Sequence, residues 1–279
     1  MTRTKIPGLL ALLFGFLVVT ESQAAPRADL WPYWEKSNES VGHSIDHRAW
    51  QEFLSEYVRA DDTGMNRVSY AAVSMADKTE LDEYVRRQSK LAITEYPRDE
   101  QLAFWLNLYN ALTVKVILDH YPVQSIKRID ISPVWFSSGP WGRKLVNIEG
   151  HALSLDDIEH RILRPIWKDP RIHYAVNCAS VGCPDLGHTA YSAANIESEL
   201  SHAARSYVNH PRGVAMQKSQ VRLSSIYKWF EDDFGGSEDA VLDHIRQYAS
   251  GELKHNLDNV SGISGYEYDW GLNDQSERP

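Results

Sequence analysis

Residues 99–120 read Asp-Glu-Gln-Leu-Ala-Phe-Trp-Leu-Asn-Leu-Tyr-Asn-Ala-Leu-Thr-Val-Lys-Val-Ile-Leu-Asp-His, and this stretch decides the fold. The pattern predicts one helix from about Asp99 to His120, with Asp99 as its cap and Pro122 as its stop. Leu102, Trp105, Leu106, Leu108, Tyr109, Leu112, Val114, Val116, Ile117 and Leu118 cover nearly its whole circumference. A helix that is apolar all round is a central, buried one. Asn107 and Asn110 are the exceptions, three residues apart and so on one face. A buried amide left unbonded costs about 1–3 kcal/mol. These two therefore either tie down neighbouring loops or orient a catalytic group or an oxyanion.

Working outward, Trp50, Phe53, Leu54, Tyr57 and Val58 form an apolar helical stripe that Asp61-Asp62-Thr63-Gly64 ends. A second helix is expected over Ser74 to Ser89. Beyond the central helix, a short hairpin is expected around Lys144 to Ile148. Ser154-Leu155-Asp156-Asp157 then opens a helix through Leu163, with Pro165 as terminator. Further helices are read over Asn195 to Val208, Ile226 to Phe234 and Asp239 to Tyr248, and two strands over Val214 to Met216 and Val221 to Leu223. Helices outnumber short, hairpin-linked strands. The class is α+β, a helix-rich single domain with a small, mostly antiparallel sheet.

The first 24 residues read as a secretory signal peptide: Arg3 and Lys5, an apolar run from Leu9 to Val19, then Ser22-Gln23-Ala24 at the cut. The expected organisation is residues 1–24 signal, 25–46 an N-terminal extension lying on the surface, and 47–279 one globular domain. Localisation would be periplasmic or secreted, with no membrane span after cleavage. The formal net charge of −9 disfavours nucleic acid as a partner. Nine tryptophans and fourteen tyrosines fit a large core or an aromatic-rich cleft.

Both cysteines fall within residues 171–184, Arg-Ile-His-Tyr-Ala-Val-Asn-Cys-Ala-Ser-Val-Gly-Cys-Pro. The β-prone run Ile172 to Val176 reads as a strand that ends at Cys178, which displays a thiol where a loop begins. A thiol attacks as the thiolate and needs a base or a positive field nearby. His173 is the leading candidate base, Glu159 the group that orients it, and Asn177 an amide to polarise a carbonyl. His173 lies an odd number of residues from Cys178, so on an unbroken strand the two face apart unless the chain bends at Asn177. Export also permits a Cys178–Cys183 disulfide. Zinc on Cys178, Cys183, His173 and His188 is set aside, because no second tight ligand pair follows. No cofactor motif is found.

Several stretches in order carry a resemblance: residues 104–112 (FWLNLYNAL), 153–160 (LSLDDIEH), 169–180 (DPRIHYAVNCAS), 223–230 (LSSIYKWF) and Tyr268-Asp269-Trp270. Together they resemble the domain of unknown function 547 family, with a family-like core over about residues 102–250. The resemblance implies a broad likeness to papain- and transglutaminase-type folds. It also implies that Cys178 is the family's cysteine, His173 its histidine and Glu159 its acid. Papain-type nucleophiles open a long helix, whereas Gly182 and Pro184 here break one. Two functions are expected. One is a thiol-dependent hydrolase or acyl/peptidyl transferase of the cell envelope acting on a peptide or acyl substrate, with Asn107 and Asn110 binding or orienting. The other is a non-catalytic module whose Cys178–Cys183 bridge shapes a loop that receives a protein partner.

Overall fold

A computed structural model describes residues 26–132 and 139–275. Residues 1–24, which the sequence reads as a signal peptide, lie outside the described residues. No helix among the described residues is long and apolar enough to cross a membrane.

After a 3-10 turn at Pro32–Glu35 comes α1 (Arg48–Tyr57), whose Trp50, Phe53, Leu54 and Tyr57 face inward as the stripe requires. A small antiparallel ribbon follows, β1 (Val58–Ala60) on β2 (Asn66–Val68). Ser74 caps α2 (Met75–Gln88) by accepting the Asp77 N–H at 3.1 Å. The central helix is α3 (Arg98–His120), and every residue from Glu100 to Val114 is buried. It starts at Pro97 with no side-chain cap. Asp99, expected as the cap, instead sits in the first turn with Glu100, where a carboxylate complements the helix dipole.

Next comes the hairpin β3 (Val146–Ile148) and β4 (His151–Leu153). The segment expected as one α-helix ending at Pro165 is a π-helix (Asp157–Leu163) that runs into α4 (Arg164–Trp167). Pro165 does not end the run: it lies two residues beyond the π segment, inside a helix that continues to Trp167. Asp157, Ile158, Glu159 and His160 are four consecutive buried residues of the π segment.

The strand read over Ile172 to Val176 is a helix, α5 (Ile172–Ala175). The Asp169 carboxylate accepts the Arg171 N–H at 2.9 Å and turns the chain into it. All four residues of α5 are buried. Ile172 and Ala175 join the larger, α3-centred core, and Tyr174 joins a second core around the C-terminal sheet. The β-branched composition reflects that all-round packing, not an extended backbone.

The remaining elements are α6 (Ile196–Val208), the hairpin β5 (Val214–Gln217) and β6 (Gln220–Ser224), α7 (Ile226–Trp229), a 3-10 turn Glu231–Phe234, α8 (Glu238–Tyr248), α9 (Gly251–Leu257) and β7 (Ile263–Glu267). β5 pairs antiparallel and β7 parallel with β6. The fold is a helix-rich α+β domain with small sheets, as composition and pattern indicate. The N-terminal extension does not merely lie on the surface. Trp34 is 1 % exposed and packs edge-on against Trp105 at 5.1 Å. The Arg164 guanidinium also donates to the Pro26 carbonyl at 2.6 Å.

Candidate functional site

The thiol loop leaves α5 at the seam between the two cores. Asn177 organises it. Its Oδ1 accepts the Ala179 N–H at 2.9 Å and its Nδ2 donates to the Pro184 carbonyl at 2.7 Å, so one amide closes both ends of the loop. Ala179 is held in the left-handed region at φ 55°, a conformation that costs a residue with a Cβ about 1–2 kcal/mol. The 177 amide is thus engaged with the loop backbone and is not directed at a substrate carbonyl.

The two amides of α3 serve the same purpose. Asn110 donates to the Ala175 carbonyl at 2.9 Å and accepts the Asn177 N–H at 2.8 Å. Asn107 donates to the Tyr191 carbonyl at 2.8 Å and accepts the Tyr191 N–H at 3.0 Å. Of the two roles open to them, tying down neighbouring loops is the one their bonds describe.

The far side of the loop is completed by the end of the chain. The N–H groups of Gly182 and Val181 donate to the carbonyls of Asp269 and Gly271 at 2.8 Å each, and the Asn273 N–H donates to the Ala179 carbonyl at 3.1 Å. This pairing lays Tyr268 over the thiol. The Tyr268 Oη lies 2.9 Å from Cys178 Sγ and 2.9 Å from Ser180 Oγ, and Ser180 Oγ lies 3.2 Å from the same sulfur. Sulfur and two hydroxyls form a closed triangle. The backbone N–H of Cys178 donates to Cys183 Sγ at 3.0 Å. Both cysteines are free thiols, so the Cys178–Cys183 disulfide allowed by export is not formed in this structure.

Burial pushes the Cys178 thiol up, but hydrogen bonds from Cys183, Ser180 and Tyr268 more than offset it, and the thiol lies below its ordinary value. Burial and the neighbouring Cys178 charge hold Cys183 well above the ordinary range, so the second thiol keeps its proton. Tyr268 is also held well above its ordinary value, by burial and then by the Cys178 charge, and keeps its proton to donate.

Half-buried aromatic rings flank the sulfur. Tyr268 packs against Trp229 and Trp270 at 4.7 Å each, and Trp270 meets Trp141 at 5.7 Å. Lys127 Nζ lies 5.0 Å over the Trp270 ring.

Close packing makes this assembly sensitive at Gly182. A Cβ there would come within 2.7 Å of the Asp269 N and 3.0 Å of Tyr268 Cγ, and the first of these is backbone. Gly182→Ala is expected to destabilise the protein by about 1–3 kcal/mol and to slow alkylation of Cys178 by moving Tyr268 away. A thermal melt and an iodoacetamide time course on the same sample check both effects.

His173 and Glu159 are brought together, but in a separate buried network. His173 Nε2 donates to Asp233 Oδ2 at 2.7 Å, and the same carboxylate oxygen accepts Arg164 Nε at 2.5 Å. The imidazole stacks on Phe230 at 4.0 Å. Its Nδ1 lies 3.9 Å from Glu159 Oε1 and forms no hydrogen bond. Glu159 Oε2 accepts the Tyr109 hydroxyl at 3.0 Å. Burial lowers His173 and raises Glu159, so the ring favours its neutral form. Asp233 is the reverse. Burial pushes it up, but hydrogen bonds from His173 and Arg164 prevail and hold it well below the usual carboxylate range.

Cys178 Sγ has hydroxyl partners where the sequence reading placed an imidazole. That reading gave no role to Tyr268, Ser180 or Asp233. The Tyr268-Asp269-Trp270 triplet was a visible signal, but nothing local tied it to a loop some ninety residues earlier. Residues 93–208 match the model of a family described as Protein of unknown function, DUF547. Neither a curated protein nor a solved structure matches the chain. The matched segment holds Asn107, Asn110, Glu159, His173, Asn177 and Cys178, whereas Asp233 and Tyr268 lie beyond it.

Proposed function

This chain carries a domain of the DUF547 family of unknown function, and from that premise we propose that it is a thiol-dependent hydrolase or acyl transferase in which Cys178 is the nucleophile. The observation that carries the reading is the triangle of Cys178, Ser180 and Tyr268, a half-buried sulfur with two hydroxyls in hydrogen-bond reach. In this mechanism the thiolate attacks an acyl carbon and a C–S bond forms. The carbonyl electron pair moves to oxygen and returns as the C–X bond breaks. The leaving group takes its proton from the Tyr268–Ser180 hydroxyl pair. Once the sulfur is acylated its negative charge is gone, and with it one of the causes that held the proton on Tyr268. Water or an acceptor nucleophile then cleaves the thioester, and its proton restores the hydroxyl pair.

No proton is routed through His173, whose Nε2 hydrogen lies on Asp233. His173 ties α5 to Asp233 and Glu159 takes the Tyr109 hydroxyl, and neither touches the reacting sulfur in this scheme. Asn107, Asn110 and Asn177 hold the loop that carries the nucleophile. The half-buried rings of Trp229 and Trp270 would receive an apolar face of the acyl group. The leader pattern over residues 1–24 supports placing the reaction in the cell envelope.

The test is acyl capture. Protein incubated with p-nitrophenyl acetate and quenched in acid is expected to carry one acetyl group, located on Cys178 by peptide mass spectrometry. Acetylation spread over surface lysines with Cys178 unmodified would refute covalent catalysis and favour the non-catalytic module.

A further inference from the structure

The Cys178 sulfur does not face hydroxyls alone. Cys183 Sγ accepts the Cys178 N–H at 3.0 Å, so the second sulfur sits against the backbone of the first. The two thiols sit in a loop clamped by Asn177 and by the Cys183 N–H to Ser180 carbonyl bond at 3.1 Å. They are also unequal. Cys178 is half-buried, whereas Cys183 is 5 % exposed with its S–H directed at the Val176 carbonyl at 3.7 Å. The chain has two cysteines, so neither has another intramolecular partner.

We propose that this pair is a hydroperoxide-reactive dithiol, in which Cys178 is oxidised first and Cys183 resolves it into a reversible disulfide. In the first step the Cys178 thiolate attacks one oxygen of the hydroperoxide. An S–O bond forms and the O–O bond breaks. The sulfur loses two electrons to become a sulfenic acid, and the departing alkoxide or hydroxide is protonated by the Tyr268–Ser180 pair, which solvent reloads. A donor beside the departing oxygen is what O–O cleavage needs, and here it is built in. In the second step Cys183 sulfur attacks the sulfenic sulfur. The S–S bond forms, the S–OH bond breaks, and the Cys183 proton leaves with the hydroxyl as water. An external thiol returns both sulfurs to the reduced state.

Asymmetry of access fits the division of roles. The reachable sulfur carries the lowered ionisation and meets the oxidant, and the buried one keeps its proton until its neighbour is oxidised. The inference shares the ionised Cys178 with the acyl chemistry but does not depend on acyl transfer. Its test never measures hydrolysis.

The full-length protein is reduced, freed of reductant, exposed to equimolar hydrogen peroxide, alkylated and weighed intact. Wild type is expected to lose two hydrogens, resist alkylation at both cysteines, and regain both thiols on adding dithiothreitol. Cys183→Ser is expected to stop at a Cys178 sulfenic acid that dimedone traps, and to proceed to the sulfinic acid only when a second equivalent of peroxide is added. Cys178→Ser, folded as judged by its melt, is expected to consume peroxide at least about ten-fold more slowly than wild type. The proposal is overturned if wild type accumulates sulfinic acid at Cys178 without a disulfide stage. It is equally overturned if Cys178→Ser consumes peroxide as fast as wild type.

Discussion

Tyr268→Phe is expected to slow alkylation of Cys178 at neutral pH by about three- to ten-fold while leaving the fold intact. The substitution keeps the ring against Trp229 and Trp270 and removes only the hydroxyl, 2.9 Å from the sulfur. A hydrogen bond to a charged partner contributes about 1.5–3 kcal/mol. Losing it moves the thiol upward and empties the thiolate population. The remaining thiolate is more basic and a better nucleophile, which returns roughly half of the loss on a logarithmic scale. Ser180→Ala, at the longer contact of 3.2 Å, is expected to do the same more weakly. Iodoacetamide rates measured from pH 5 to 9 give the profile. A Tyr268→Phe profile superimposable on wild type would show that the hydroxyl does not support the thiolate.

A second large effect is expected from acid. Burial draws His47, His160 and His244 down from 6.5 to about 4, and lowers His173 as well. At His47 and His160 the contacts suit a neutral ring. Tyr84 lies 2.7 Å from His47 Nδ1, and Arg164 donates to His160 Nδ1 at 3.0 Å. At His47, His160 and His244 the unfolded chain takes up a proton below pH 6.5, whereas the folded chain resists until about pH 4. Their contribution to stability is therefore complete above pH 6.5 and is lost as pH falls from 6.5 toward 4. Summed over these three, the loss is on the order of several kcal/mol, comparable with the whole stability of a typical domain. Cooperative acid unfolding is expected within that window. Urea titrations at pH 7.5, 6, 5 and 4.5 check it, and an unchanged midpoint between pH 7.5 and 4.5 would exclude the linkage.

The helical frame was legible because its signals are local. Ser74 capping α2, the inward stripe of α1 and the all-apolar surface of α3 each follow from residues a few positions apart. The β5–β6 hairpin was equally plain. α5 was misread because Ile172–Ala175 is buried on every side, and a segment without a solvent face has no period to read. β7 was missed because a Gly- and Ser-rich run pairs in parallel with β6, a partner some forty residues earlier. The site divides along the same line. Cys178 and the buried amides stand out in the sequence. Asp233 and Tyr268 act across separations of 60 and 90 residues, and both lay in stretches whose local appearance was a helix end and a polar tail. Asp233 sits in an Asp-Phe-Gly triplet that has no phosphate-binding context in this chain, and only the fold shows that it holds His173 and Arg164.

The strip of chain from Tyr268 to Asn273 that closes over residues 179–182 means that the recognisable segment and the chemical unit have different borders. A fragment trimmed to residues 93–208 would keep the Cys178 sulfur yet lack the Tyr268 phenol beside it, and would strand His173 and Arg164 without their shared counterion. In cloning terms, the shortest piece worth expressing must run past Asn273.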